Sequence, residues 1–474
     1  MTVIAPPRLL ARTVEVNPVE DLLTWLPPEV DAHEVVSWVR EGEGIVGWGR
    51  AAGCMPHGPD RFAAAEAWWQ RVAEQAEVVD RTRLPGTGLV AFGSFGFASD
   101  SPRGSAVVVP RVVVGRRDGR SWVTTIDELP GPGPLAPPPP VTGNHHLERV
   151  ATRSEWEYPV RSARGVAGAR GVAGARGDAD GACAAGEADG IRLSDGAVAA
   201  ADWPGVVAAA VTRITAGEVE KVVLARDVLA SSDAPIRVGQ LLRRLADRYA
   251  ATWTFAVDGL VGATPEMLVR LERGRVRSRV LAGTVRRDRS PAPSVTEAHP
   301  DLDTAHASDP RLRLVSSDKE LEEHGFAVRS VAQALGPHCT ELTVPDEPFV
   351  LELPDVYHLA SDLVGTLRDG ATSLRLAAAL HPSAAVCGTP ASAAARVIAE
   401  LEGMDRGRYA GPVGWMDASG DGDWGIALRC GQLSQDDRSM RLYAGGGIVA
   451  ASDPQTELAE TEVKFAAMRH ALGI

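Results

Sequence analysis

The chain reads as a mixed α/β (α+β) protein. Its first 130 residues carry short strand-like runs, such as "HEVVSWVR" and "RVVVGRR", broken by Gly and Pro. From about residue 200 onward, helical patterns such as "DWPGVVAAAVTRITAG" and "ASAAARVIAELEG" alternate irregularly with strands and hairpins. A composition of 45% apolar and 23% charged residues over 474 is that of an ordinary soluble globular chain, long enough for one large domain or two to three smaller ones.

The net charge of −13 argues against a nucleic-acid partner, which needs a basic face. Any anionic ligand must then be drawn in by local cations or a metal. The five cysteines are scattered without C-x-x-C spacing, which fits a reducing compartment. There is no leader-like start and no long apolar run, so a cytoplasmic protein without membrane contact is expected.

In chain order, "GEGIVG" at 42–47 has G-x-G-x-x-G spacing, but turn residues rather than a helix follow it. A dinucleotide site needs that helix N-terminus, so the stretch reads as a strand and turn. "PGPGPLAPPPP" at 130–140 is an extended connector. Residues 160–190 hold two copies of RGVAGA, too few to stack into a solenoid, and read as a flexible Gly/Ala-rich insertion.

"DKELEEHGFAVRSVAQAL" at 318–335 has helical periodicity, with Leu321, Val328, Ala332 and Leu335 as its apolar stripe. Glu320 and Glu323, three apart, share one flank; Asp318 and Glu322 fall toward solvent. "SDPQTELAETEVKF" repeats the device: Ser452 or Asp453 caps a helix that carries Glu457, Glu460 and Lys464 on one face. Four carboxylates brought together repel or raise each other's pKa, and a hard divalent cation resolves the conflict, magnesium before zinc. On spacing alone, solvated acidic helices are the commoner reading. "DASGDGDW" at 417–424 lacks the twelfth-position Glu of a calcium loop and reads as a hairpin turn.

"EVEKVVLARDV" is strand-like, with Lys221 on the face of Val219, Val223 and Ala225. Such a Lys commonly snorkels; a truly interior one is desolvated toward the neutral amine and becomes a candidate general base. Glu266 follows a bend in "GATPEML", where a lone Glu is commonly exposed. "GDWGIALRC" reads as a strand that aims Arg429 across Gly425 and Ala427, leaving room for a carboxylate in a bidentate grip. Gly445, Gly446 and Gly447 follow a strand in "YAGGGIVA", where backbone N–H groups can approach an anion or merely form a bulge.

Nine ordered stretches, "EKVVLAR", "GATPEML", "VLAGTVRR", "SDKELEEHGF", "YHLASDLVGTL", "HPSAAVCGTP", "YAGPVGW", "GDWGIALR" and "YAGGGIVAASDPQTELAETEVK", resemble the signatures of the chorismate-utilising enzymes. The likeness is strong over 200–474, the catalytic core, and loose over 1–130. It implies a single α/β domain over 1–474, two large mostly antiparallel sheets packed face to face with helices outside, like the large component of anthranilate synthase. It implies Mg2+ held by Glu323 and Glu460, helped by Glu320 and Glu457, and gripping the ring carboxylate of chorismate. Arg429 and Tyr409 would hold the enolpyruvyl carboxylate with backbone N–H groups at Gly445 and Gly446. Gly283 and Thr284 would line the site, His358 would face the ring, and Lys464 would balance the acidic helix.

Lys221 stands where the ammonia-using branch carries Gln, so the resemblance implies the water-using branch and no amidotransferase subunit; "GATPE" and "GPVGWMDASGDGDWGIALR" look most like isochorismate synthases. Lys221 would deprotonate water for attack at C2 while Glu266 protonates the departing C4 hydroxyl. A salicylate synthase would use the same residues and then eliminate pyruvate, and is the alternative. A silent relative acting as a binding module is the alternative of another class. A monomer or homodimer is expected. Ser383-Ala384 departs from the Thr-Pro common in the family at that loop.

Overall fold

The computed structural model describes residues 7–129, 190–287 and 309–474. The 130–140 connector, and the 160–190 insertion apart from Gly190, lie outside them. Among the described residues the strands form two sheets, of 13 and 10 strands, and the single parallel pairing joins Leu9–Val16 to Glu77–Asp80. Strands from the first 130 residues and from the C-terminal region enter both sheets.

A large aromatic side chain bridges the two sheets. Trp38, in the larger sheet, donates its indole N–H to Asp423 of the smaller one at 3.2 Å. On the helix-covered face of the smaller sheet, Phe95 meets the edge of Trp424, ring centroids 5.7 Å apart, and a Cβ on Gly93 would stand 2.8 Å from the Trp424 ring. Truncating such a fully buried Trp to Ala typically costs about 3–5 kcal/mol. The strand Lys221–Ser231 is buried almost throughout, covered on both faces, which explains why its sequence is a near-continuous apolar run.

Several short crossings take the chain from one sheet to the other, and two of them lie at the site. Pro265 and Glu266 link Leu260–Thr264 of the larger sheet to Met267–Glu272 of the smaller. Residues 427–429 link Gly422–Ile426 of the smaller sheet to Cys430–Leu433 of the larger. Arg429 is therefore not on the strand face where its sequence places it: the strand ends at Ile426 and Arg429 has a left-handed φ of 48°. The 417–424 stretch is a hairpin turn and Glu43–Trp48 a strand, as the sequence predicts.

The helix Asp318–Leu335 is capped by Ser317 and packs on the strands Arg275–Arg286 and Val356–Leu367. Its buried face is His324, Ala327, Val331 and Leu335, while Leu321 is exposed, so the true stripe is rotated from the predicted one. The rotation has a polar cause. His324 is drawn inward by Ser361 Oγ (2.8 Å) and the Ala282 carbonyl (3.2 Å), and Ala327 lets the helix lie close. This turns Glu320 and Glu323 toward the interior rather than along a flank. The helix Pro454–Leu472 starts at Asp453, whose side chain accepts from the Thr456 N–H, and packs on the strand Ser439–Ile448. That strand contains Gly445, Gly446 and Gly447, which are paired with Ala225, Leu224 and Val223 rather than lying beyond a strand end.

Candidate active site

The crossings at 265–266 and 427–429, both acidic helices and the first residue of Lys221–Ser231 meet in one region. Lys221 is 0% exposed, and its Nζ lies 3.2 Å from Glu323 Oε1 across the gap between the larger sheet and the Asp318–Leu335 helix. Glycine makes this approach possible. A Cβ on Gly447 would fall 2.1 Å from Glu323 Oε1 and 3.0 Å from Lys221 Cε. Gly446 faces the other helix, 3.3 Å from Glu457 Oε2 and 3.6 Å from Glu460 Oε1 by the same measure.

Each of the four carboxylates lies near a lysine. Glu323 has Lys221; Glu460 is ion-paired with Lys464, which also donates to the Gly445 carbonyl at 2.7 Å. Lys319 reaches Glu457 Oε1 at 3.0 Å and Glu320 Oε1 at 3.8 Å. Among the described residues no three His, Cys, Asp or Glu side chains converge as a metal-holding group. The set nonetheless fits a hard divalent cation. Burial, then the neighbouring Glu323, raises Glu320 to about 7, and burial with Glu460 raises Glu457. Glu457 Oε2 is buried with no hydrogen-bond partner. Crowded oxygens short of positive charge are what such a cation would satisfy.

Gly283 sits in a bulge of the strand Arg275–Arg286 with φ +81°, and the bulge aims the Thr284 N–H at Glu320 Oε2, 2.8 Å away. Thr284 Oγ1 is 3.0 Å from His358 Nδ1, and His358 Nε2 is 3.3 Å from an Arg429 guanidinium nitrogen. Arg can only donate, so Nε2 accepts and Nδ1 carries the hydrogen, directed at Thr284 Oγ1 and the Gly283 carbonyl. Burial, reinforced by Arg429 and Lys464, pushes the His358 pKa well down, so the ring is neutral. Tyr409 is stacked on Tyr443, centroids 5.0 Å apart and 9° from parallel.

Glu266 is 4% exposed, and burial raises its carboxyl to about 8 against the opposing pull of the Leu281 backbone, Lys221, Arg429 and Lys464. The site thus presents a protonated carboxylic acid and an amine near two cationic groups able to grip carboxylates. A cavity of about 70 Å³ lies among these groups, with Glu266, Thr284, Glu323, His358, Tyr409 and Arg429 in its wall. Lys221, Glu320, Glu457 and Glu460 are not in that wall and adjoin it through Glu323, Thr284 and Gly446. A much larger cleft, about 1040 Å³, opens beside the helix Arg61–Gln75. Several of its polar groups are already engaged: Arg61 and His381 bind the Phe97 carbonyl and Arg375 pairs with Glu66. We assign the chemistry to the smaller cavity, where the acid, the amine and the unsatisfied carboxylates are.

A family model described as chorismate binding enzyme matches residues 5–128 and 187–473. The chain belongs to the chorismate-binding enzyme family. The match passes over the connector and most of the insertion. A relative, the isochorismate synthase DhbC of Bacillus subtilis (strain 168), is 40% identical over 285 residues, covering 58% of this chain and 68% of that protein. The crystal structure of a putative 2,3-dihydroxybenzoate-specific isochorismate synthase from Bacillus anthracis superposes with a TM-score of 0.67 at 26% identity, over 95% of this chain and 98% of that one. Anthranilate synthase component I from Streptococcus pneumoniae TIGR4 shares the fold, with a TM-score of 0.63 at 20% identity over 91% and 92% of the two chains.

Several residues at this candidate site escape the sequence reading. Lys319 and His324 stand inside the quoted acidic run but carry no periodic signal of a contact. Arg406 and Glu402 form a wholly buried pair. Arg406 donates to the Val223 carbonyl at 2.6 Å and the Val386 carbonyl at 2.8 Å, and Glu402 accepts from the Ala225 N–H at 2.7 Å. The pair ties the strand of Lys221 to the 383–387 loop and the turn before Tyr409. Two buried charges four residues apart, flanking a Gly-marked helix end, were the available signal.

Proposed function

We propose that this chain converts chorismate to isochorismate in a magnesium-dependent reaction, with Lys221 as general base and Glu266 as general acid. The observation that carries the reading is the pairing of an interior Lys with a carboxyl held protonated up to about 8, in the same region as Arg429 and Tyr409. Arg429 offers a bidentate grip to the enolpyruvyl carboxylate, and the His358 ring orients it by accepting one of its hydrogens. Lys221 takes a proton from water, whose oxygen bonds to C2. The ring double bond shifts, the C4–O bond breaks, and Glu266 gives its proton to the departing hydroxyl. Water is added and water is lost, so the net change is an isomerisation. Magnesium, held by Glu323 and Glu460 with Glu320 and Glu457 beside them, would neutralise the ring carboxylate of the substrate.

Cys54, Cys339, Cys387 and Cys430 are free thiols, and no helix among the described residues is long and apolar enough to cross a membrane. The free thiols fit a reducing, cytoplasmic setting. The test is to incubate the protein with chorismate and magnesium and separate the products by chromatography. Isochorismate is expected; salicylate with pyruvate would move the chain to the lyase branch, and unchanged chorismate would sink the reading.

A further inference from the structure

Three lysines face the four carboxylates, and two have a task in the reading above. Lys319 has none. Its ammonium lies 3.0 Å from Glu457 Oε1 and 3.8 Å from Glu320 Oε1, so one cation joins the Asp318–Leu335 helix to the Pro454–Leu472 helix. Glu457 is 2% exposed, and its other oxygen has no partner. Lys319 already sets its side-chain nitrogen against Glu457 Oε1, so a dication added with Lys319 in place would put two cations on one carboxylate. Lys319 is the lysine with somewhere to go: its side chain is 26% exposed, against 0% for Lys221 and 10% for Lys464.

We propose that Lys319 is the resident cation of the metal site, bridging Glu457 and Glu320 while no metal is bound and leaving Glu457 when a divalent cation takes its place. The inference rests on the magnesium reading and deepens it. Lys319 would thereby set the metal affinity and keep the carboxylates from repelling each other in the metal-free protein.

A contact made only in the metal-free state stabilises that state alone, and so weakens metal binding by linkage. The experiment is thermal unfolding of the full chain across a magnesium titration, for wild type, Lys319→Met and Lys319→Arg. Lys319→Met should melt lower without metal, bind magnesium on the order of tenfold more tightly, as expected for loss of one competing charge-assisted hydrogen bond, and converge with wild type at saturation. Lys319→Arg keeps the charge and should stay near wild type in both respects. A deficit in Lys319→Met that persists at saturating magnesium, with affinity unchanged or weaker, would overturn the proposal and make Lys319 a fixed structural bridge. A wild type whose melting does not respond to magnesium would overturn the magnesium reading itself, and the proposal with it.

Discussion

Lys221 Nζ lies 3.2 Å from Glu323 Oε1, so the amine proposed as base and a carboxylate proposed as metal ligand touch. The contact depends on Gly447, where any side chain would displace one of them. Lys221→Gln should remove water activation and leave the Arg429 and Tyr409 grip in place. Turnover should fall by on the order of 10²–10⁴, the usual cost of losing a general base. Calorimetry should still detect chorismate binding with magnesium. A variant unable to bind chorismate would make Lys221 an electrostatic anchor instead.

Helix register decides a second outcome. Glu323 and Glu460 face the site, while Glu322 is exposed on the opposite side of its helix. Glu323→Gln or Glu460→Gln should abolish most magnesium-dependent activity, and Glu322→Gln should be nearly silent. Steady-state rates across a magnesium titration distinguish them.

How far could this have been read from the sequence? The two Glu-x-x-Glu helices, the apolar strand face that carries Lys221 and the hairpin at 417–421 follow from spacing and alternation, because periodicity reports directly on faces; that Lys221 is interior does not, since a Lys on such a face commonly snorkels. The face of the Asp318–Leu335 helix did not, since its inward turn is fixed by His324 bonding to Ser361 and Ala282, strands distant in sequence. Arg429 was misplaced on a strand because a crossing between two sheets has no local signature; only the left-handed φ betrays it. Lys319 reaches a helix more than 130 residues away in sequence, a partner no window can contain.

Glu266 gives a pH dependence in two observables. As general acid it must be protonated, so the rate should fall as pH rises through about 8. Its ordinary value is 4.5, so between about 4.5 and 8 the folded state holds a proton that the unfolded state has released. The stability Glu266 contributes is fully present below the lower value and is lost as pH climbs to the upper one. Glu266→Gln should therefore melt with a flatter pH profile over that window and turn over on the order of 10²–10⁴ more slowly. An unchanged rate profile in the variant would exclude Glu266 as the acid.

His358 positions Arg429 through Nε2 and stays neutral. His358→Ala should raise KM for chorismate more than it lowers kcat, and the apparent pKa values of the rate profile should not move. His358→Gln, which can still accept a hydrogen bond from Arg429, should recover part of the KM loss. A shifted pH profile would show that the ring itself transfers a proton.

The central claim is that an external water, activated by Lys221, supplies the new hydroxyl. Turnover of chorismate with magnesium in oxygen-18 water, followed by mass spectrometry of the isochorismate formed, tests it most directly. The account predicts one oxygen-18 atom in each product molecule, at the C2 hydroxyl. Isochorismate that retains only the original oxygens would mean the C4 hydroxyl had migrated, and would contradict water activation by Lys221.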